Sequence, residues 1–223
     1  MDKLIEIKGL YYAADSGNKI FEDVDAEFCG GEKVAIIGPL ASGKATLLRL
    51  LLGLEKPQNG AIYLFGKDIG ILERSEIDIL RQGIGVVFEN ASLISNLKVI
   101  ENVMLPLQYH TNLTPDAIME KAVFLLGSVG YKGDMWELPG PLPSYTKKTI
   151  EFARAMALDP GIMIYDRLME GLDERQSLEL VRFVDGFHKA KKDRLSIMIA
   201  NDKRGVRDIM TDRVLRIENR RII

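Results

Sequence analysis

The chain has 223 residues, of which 47% are hydrophobic and 28% charged, the composition of an ordinary globular domain. A net charge of −2 argues against a nucleic-acid-binding protein, and the single cysteine, Cys29, excludes an internal disulfide framework and favours a cytoplasmic compartment. No apolar run reaches the ~18 residues of a membrane span, and residues 1–7 lack the features of a signal peptide. We therefore expect no direct membrane insertion, and any membrane association to go through a partner.

Short apolar runs alternate with helical patterns along the chain. Strands are predicted at 4–7, 20–28, 33–37, 61–65, 84–88, 162–165, 196–200 and 214–217, and helices at 43–52, 97–109, 116–129, 144–158 and 174–189. The turn at 15–18 predicts that the first two strands are antiparallel. The strand–helix alternation of the second half instead predicts a parallel sheet covered on both faces, so the fold class is α/β.

Residues 90–143 are rich in helical pattern and are bounded by turns, with Pro139, Gly140 and Pro141 near the end. We predict a helical insertion there, in a core formed by residues 1–89 and 144–223. A basic cluster follows the last predicted helix and is expected to be its solvated C-terminal turn; it consists of Lys189, Lys191, Lys192 and Arg194.

The most specific motif is a glycine-rich loop between a predicted strand and a predicted helix. Gly38 is followed after four residues by Gly43 and Lys44, the spacing of a phosphate-binding P-loop. Glycines let consecutive N–H groups point at one anion, the helix N-terminus favours negative charge, and the lysine reaches the terminal phosphates. The predicted nucleotide-binding residues are Gly38, Ala41, Ser42, Gly43, Lys44, Ala45, Thr46 and Asp166. Ala45 stands where this motif has a Mg²⁺-binding hydroxyl, so Mg²⁺ binding is doubtful.

Several further segments follow the P-loop in a specific order, at 60–69, 87–89, 99–107, 142–146, 151–157, 162–166, 170–173 and 199–202. Together they make the chain resemble the ABC transporter ATPases over essentially its full length. The resemblance implies a P-loop ATPase of mostly parallel sheet, with an antiparallel N-terminal part and a helical subdomain. Within that family, residues 106–110 and the helices after them are most similar to Mla-type lipid-transport ATPases.

The residues that carry the chemistry of this family differ here. The resemblance places Arg167 at the position of the glutamate that polarises the attacking water, Asn201 at the switch histidine and Glu89 at the glutamine of the Q-loop. The signature segment is altered as well and reads Leu142, Pro143, Ser144, Tyr145 and Thr146. Arginine cannot act as a base near neutral pH. The resemblance therefore implies that none of the catalytic positions Glu89, Arg167 and Asn201 is intact.

These substitutions predict a nucleotide-binding or scaffold pseudo-ATPase that takes ATP or ADP. The alternative is an active ATP-hydrolysing subunit that uses non-standard residues; a P-loop kinase or GTPase and a DNA-repair ABC protein fit the pattern less well. The resemblance implies a membrane permease bound through residues 90–143, a homo- or heterodimer of nucleotide-binding domains, and a peripheral place at the inner face of the membrane.

The charges suggest two contacts within the site. Glu89 adds an anion and Arg167 replaces an anion with a cation, so we expect Arg167 to pair with Glu89 or Asp166 in the space of the metal. We also expect Lys44 to pair with Asp166 when the loop holds no ligand.

Overall fold

The computed structural model describes residues 2–206 and 209–223, in which the strands form two sheets. The strands are β1 (Lys3–Ala13), β2 (Lys19–Cys29), β3 (Lys33–Ile37), β4 (Asn59–Leu64), β5 (Lys67–Asp68), β6 (Ile84–Val87), β7 (Ile162–Asp166), β8 (Leu195–Ala200), β9 (Arg213–Glu218) and β10 (Arg221–Ile222). The helices are α1 (Lys44–Leu51), α2 (Arg74–Arg81), α3 (Val99–His110), α4 (Pro115–Ser128), α5 (Ser144–Ala155) and α6 (Glu174–Lys189), with a 3₁₀ helix at Lys203–Val206.

The larger sheet has the order β10-β9-β3-β8-β7-β6, and its strands are parallel except for the β9–β10 pair. Every residue of β3 and β8 is buried, as expected for central strands of a parallel sheet with both faces covered. Because parallel strands end at the same edge, the register brings Ile37 beside Ala200 and Asp166 beside Ile199. The segments that follow β3, β7 and β8 therefore meet there, which is where ligands bind in open α/β sheets.

The smaller sheet has the order β2-β1-β4-β5 and is antiparallel, which confirms the prediction made from the turn at 15–18. Its apolar face packs against α1 and one face of the larger sheet, so that Phe21 and Phe28 of β2 share a core with Leu47 and Leu50 of α1. This packing fixes α1, and with it the start of the P-loop helix, between the two sheets.

The predicted helical insertion contains α3 and α4, which pack against each other and against α5 of the core. A shared apolar core of α3, α4 and α5 includes Val103, Ile118 and Phe152. The domain boundaries at residues 90 and 143 stay a prediction. Within the described parts of the chain, no helix combines the length and the apolar character needed to cross a bilayer.

The expected solvated basic cluster is wrong for one member, Arg194, whose side chain is only 1% exposed. Its Nε donates to the carbonyl of Pro160 at 3.0 Å, its guanidinium pairs with Asp159, and it stacks 3.6 Å from the ring centre of Phe187. A planar guanidinium offers both a stacking face and a donor edge, so it can be buried where a lysine would lose one of these contacts.

Candidate functional site

The P-loop connects the last residue of β3 to the first turn of α1, and its backbone has the conformation that the glycine-rich sequence predicts. Gly43 has φ 102°, and a Cβ at this position would lie 2.7 Å from Cγ2 of Ile20 and 3.0 Å from Cζ of Phe21. Glycine is therefore required both by the backbone angle and by the packing of the loop on β2. Ala41 also has positive φ, at 61°, a conformation that is costly for a residue with a Cβ.

The Lys44 ammonium forms hydrogen bonds with backbone atoms of its own loop. Nζ donates to the carbonyls of Gly38 and Pro39, each at 2.6 Å, and lies 3.4 Å from Oγ of Ser42. The expected pairing of Lys44 with Asp166 is thus wrong, because two backbone oxygens already satisfy this ammonium. Burial lowers the pKa of Lys44, the nearby Arg167 guanidinium lowers it further, and Asp166 opposes both effects.

Arg167 forms the predicted ion pairs. One guanidinium nitrogen lies 2.5 Å from Oε2 of Glu89 and another 3.6 Å from Oδ1 of Asp166, which confirms the pairing expected from the charges. The backbone of Arg167 has φ 46° and donates to the carbonyl of Ile199 at 2.8 Å. Burial raises the pKa of the Asp166 carboxyl, and the Arg167 guanidinium partly offsets this increase.

A cavity of about 220 Å³ lies over the P-loop. The structure brings all of the predicted nucleotide-binding residues except Gly38 together with two of the three positions that the family resemblance assigns to catalysis. The lining consists of Ile20, Leu40, Ala41, Ser42, Gly43, Lys44, Ala45, Thr46, Asp166, Arg167 and Asn201. The amide oxygen of Asn201 is buried there without a hydrogen-bond partner among the described residues. A buried polar atom without a partner is unfavourable, so a bound water or ligand would stabilise this side chain.

The signature segment 142–146 takes no part in lining this cavity. Tyr145 is instead half-buried against the core, and its hydroxyl donates to Oε2 of Glu179 on α6 at 2.8 Å. Burial, followed by the hydrogen bond to Glu179, raises the pKa of this hydroxyl well above its usual range. The bulky side chain thus ties the start of α5 to α6.

Behind Glu89 and Arg167 lies a buried polar network on α5 that the sequence analysis missed. Lys148 is 2% exposed and donates to the carbonyls of Leu168 and Glu170, each at 2.8 Å. Glu151 is fully buried and accepts hydrogen bonds from two backbone N–H groups, Phe88 at 3.0 Å and Ser92 at 2.8 Å. The signal in the sequence was the placement of charges three residues apart on the apolar face of a predicted helix, where they need partners.

A larger groove of about 520 Å³ lies between β6 of the main sheet and the helical part, with Arg154 and Ala155 of α5 in its lining. Its lining combines residues of α3 with residues of α2 and β6, among them Pro106, Tyr109, Arg81 and Gly85. The ring of Tyr109 is 77% exposed at this edge. Tyrosine is enriched in protein–protein interfaces relative to the rest of the surface, so this groove is a candidate contact surface.

Comparisons with known proteins agree with this architecture. The model of the ABC transporter family matches residues 21–169, more than half of the chain. The chain is 32% identical over 184 residues to the probable ribonucleotide transport ATP-binding protein mkl of Mycobacterium leprae, covering 82% of this chain and 53% of that protein. It is 31% identical over 170 residues to the intermembrane phospholipid transport system ATP-binding protein MlaF of Haemophilus influenzae, covering 76% and 64%. The match thus spans about half to two thirds of the length of these relatives.

Among solved structures, the dimeric post-hydrolysis state of the ATP-binding cassette MJ0796 bound to ADP and Pi superimposes with a TM-score of 0.87. The sequences are 22% identical, and the match covers 98% of this chain and 96% of that one. The likeness confirms the predicted ABC-type P-loop fold over nearly the whole chain.

Proposed function

The chain belongs to the ABC transporter family, and from this premise we propose that it is a nucleotide-binding subunit of a transport system that hydrolyses ATP slowly or not at all. The similarity to a phospholipid transport ATPase favours a lipid as the cargo of that system. Residues that bind phosphate are kept in this chain, whereas those that would activate water are replaced.

The observation that carries this proposal is the ion-pair cluster around Arg167. A general base must be able to accept a proton from water, and arginine does not do so near neutral pH. The two carboxylates that could substitute, Glu89 and Asp166, both lie within ion-pair distance of the guanidinium. Loss of a positioned base typically slows a reaction by roughly 10²–10⁴-fold. We therefore expect turnover far below that of an intact ATPase.

Retention of nucleotide binding is supported by the P-loop itself. Its backbone curls around a cavity that opens at the N-terminus of α1, where unpaired N–H groups and the helix dipole favour anions. Lys44 lies in the same lining and exchanges its two carbonyl partners for phosphate oxygens when ATP or ADP binds. The ligand is thus held mainly through its phosphates.

The proposed partners follow from the family and from two surfaces of this chain. A permease subunit contacts the groove beside Tyr109, which involves α3 of the predicted 90–143 insertion together with α2 of the core. A second nucleotide-binding domain, either another copy or a different chain, faces the P-loop cavity. Under this proposal the protein lies at the inner, cytoplasmic face of the membrane through its permease.

Calorimetric titration with ATP, beside a sensitive phosphate-release assay, tests the proposal. We expect the native chain to bind ATP without measurable turnover, and Lys44→Ala to abolish binding because the phosphates lose their mobile cation. Lys192→Ala removes an exposed lysine remote from the loop and serves as the matched control. Circular dichroism shows whether Lys44→Ala keeps its fold.

Two outcomes contradict the proposal. Absence of ATP and ADP binding leaves a scaffold without a ligand. Turnover that depends on Lys44 supports the alternative, an active ATPase subunit that uses non-standard residues.

A further inference from the structure

The side chains at the metal position of this fold do not fit Mg²⁺. Ala45 has no ligand atom, and the carboxylates of Glu89 and Asp166 are both engaged by Arg167. Mg²⁺ requires near-octahedral oxygen ligands, and a guanidinium in the same space repels a cation. Residues 2–206 and 209–223 contain no cluster of three or more His, Cys, Asp or Glu side chains arranged to hold a metal ion.

The same cluster is well suited to an anion. Lys44 and Arg167 both line the cavity over the P-loop, and their mutual repulsion is balanced in the free protein by Asp166 and Glu89. The Glu89 side chain is 23% exposed, so it can turn to solvent when a stronger anion takes its place. Phosphate oxygens accept hydrogen bonds from a guanidinium in the same fork geometry as a carboxylate.

We propose that Arg167 takes the place of the divalent cation, so that this chain binds the phosphates of ATP or ADP in their metal-free form. Lys44 and Arg167 supply the positive charge. Glu89 is the internal anion that the phosphate displaces. This inference rests on the proposed nucleotide binding and specifies its chemistry. The exchange of one anionic partner for another keeps the guanidinium paired in both states. A metal ion is then neither needed nor accommodated.

The first test is calorimetric titration of the native chain with ATP and with ADP, once in EDTA and once in excess Mg²⁺. We expect the dissociation constants in the two buffers to agree within about threefold, a difference of less than 1 kcal/mol in binding free energy. A lower dissociation constant in EDTA than in Mg²⁺ also supports the inference. Binding that disappears in EDTA overturns the inference.

A second test replaces the ion pair in the native chain. Arg167→Gln combined with Glu89→Gln removes both charges of the shorter ion pair and leaves Asp166 beside an uncharged amide donor. Circular dichroism shows whether the variant keeps its fold. We expect the dissociation constant in EDTA to rise about tenfold or more, the effect of losing one charge-assisted hydrogen bond. Arg204→Gln is the matched control, since this arginine is 88% exposed, pairs with Asp202 and does not line the P-loop cavity. Equal affinity of the double variant and the control contradicts the role of Arg167.

A third test rebuilds the metal site with Ala45→Ser, Glu89→Gln and Arg167→Glu in one chain. A hydroxyl, an amide and a carboxylate then surround Asp166, and we expect ATP to bind at least about tenfold more tightly with Mg²⁺ than with EDTA. A variant that stays indifferent to Mg²⁺ argues against the inference.

The outcomes separate this inference from the function on which it rests. If the native chain binds neither ATP nor ADP in either buffer, both fail. If it binds only with Mg²⁺ and without turnover, nucleotide binding stands and the replacement of the metal by Arg167 is wrong.

Discussion

Lys148 places an ammonium group inside the protein, where two backbone carbonyls of the segment after β7 accept its hydrogen bonds. Burial lowers the pKa of this lysine, and the surrounding carboxylates, of which Glu89 has the largest effect, oppose that change. The segment it holds begins at Arg167, one residue before the first of these carbonyls. A single side chain of α5 thus fixes the loop that carries the main charge of the candidate site.

Replacement of Lys148 by Met is expected to lower the free energy of unfolding by about 1–3 kcal/mol, because two carbonyls lose their donor in a buried place. Urea denaturation measures the change, and hydrogen exchange is expected to rise in residues 167–172. Lys147→Met is the control, since the neighbouring lysine makes one exposed hydrogen bond, to Gly140. Equal stabilities of the two variants argue against this role of Lys148.

At the scale of elements, α5 and the loop after β6 form one unit. Glu151 accepts hydrogen bonds from the N–H groups of Phe88 and Ser92, and Arg154 donates to the carbonyl of Ser92 at 2.7 Å. The loop between these two residues contains Glu89, the partner of Arg167. Side chain–backbone hydrogen bonds from α5 therefore hold the loop on both sides of Glu89.

This unit is expected to make stability depend on pH near neutrality. Burial raises the pKa of the Glu151 carboxyl to about 7, while Arg154 and the two N–H groups oppose the change. Because the folded protein holds this proton more tightly than the unfolded chain, the contribution of Glu151 is present at low pH and is lost as pH rises towards 7. The loss is about 3 kcal/mol, since each tenfold change in proton affinity is worth about 1.4 kcal/mol.

The measurement is urea unfolding between pH 5 and 8 for the native chain and for Glu151→Gln. We expect the free-energy advantage of the native chain over the variant to shrink as pH rises. Burial lowers the pKa of His188, so this residue contributes with the opposite sign, and comparison with the variant cancels its effect. Glu120→Gln, on the exposed face of α4, is expected to leave the pH dependence unchanged. A pH-independent difference between the native chain and Glu151→Gln contradicts this assignment.

At the scale of the whole molecule, the P-loop cavity and the signature segment lie apart in one chain. If two cassettes face each other as proposed, each site combines the P-loop of one with the signature of the other. The family resemblance places substitutions in both halves, Arg167 and Asn201 in one and Tyr145 in the other. Under the proposed function, we therefore expect that repair of one half does not restore catalysis.

We expect a variant with Ala45→Ser, Glu89→Gln, Arg167→Glu and Asn201→His to release phosphate no faster than the native chain. Addition of Pro143→Ser, Ser144→Gly and Tyr145→Gly is expected to raise the rate roughly 10²-fold or more, because a base then acts in a closed site. Steady-state phosphate release with Mg²⁺ measures both. Fast turnover by the first variant alone shows that the signature of this chain is sufficient.

The sequence predicts a structural feature of this protein when the pattern that defines the feature lies within a short stretch of the chain. The central strands and the P-loop follow from short apolar runs and glycine spacing, whereas β1 extends to Ala13 beyond the predicted end at residue 7. Register shifts and the positive φ of Gly9 interrupt the alternation there. Helix α2 was missed because it has eight residues and buries only Ile77 and Leu80. The Arg167–Glu89 pair could be predicted from opposite charges, but burial of Glu151 is a tertiary property.

The P-loop of this protein is held by contacts within its own chain. Gly43 is held by its contacts with β2, and Lys44 closes the loop through the carbonyls of Gly38 and Pro39. If the chain is the slow or inactive ATPase that we propose, selection for folding preserves these residues even where selection for hydrolysis is lost. Under the same proposal, the residue types that the family resemblance expects at positions 89, 167 and 201 serve hydrolysis and are not preserved by selection for folding. A phosphate-binding sequence beside a rearranged reaction centre is the pattern that this asymmetry produces.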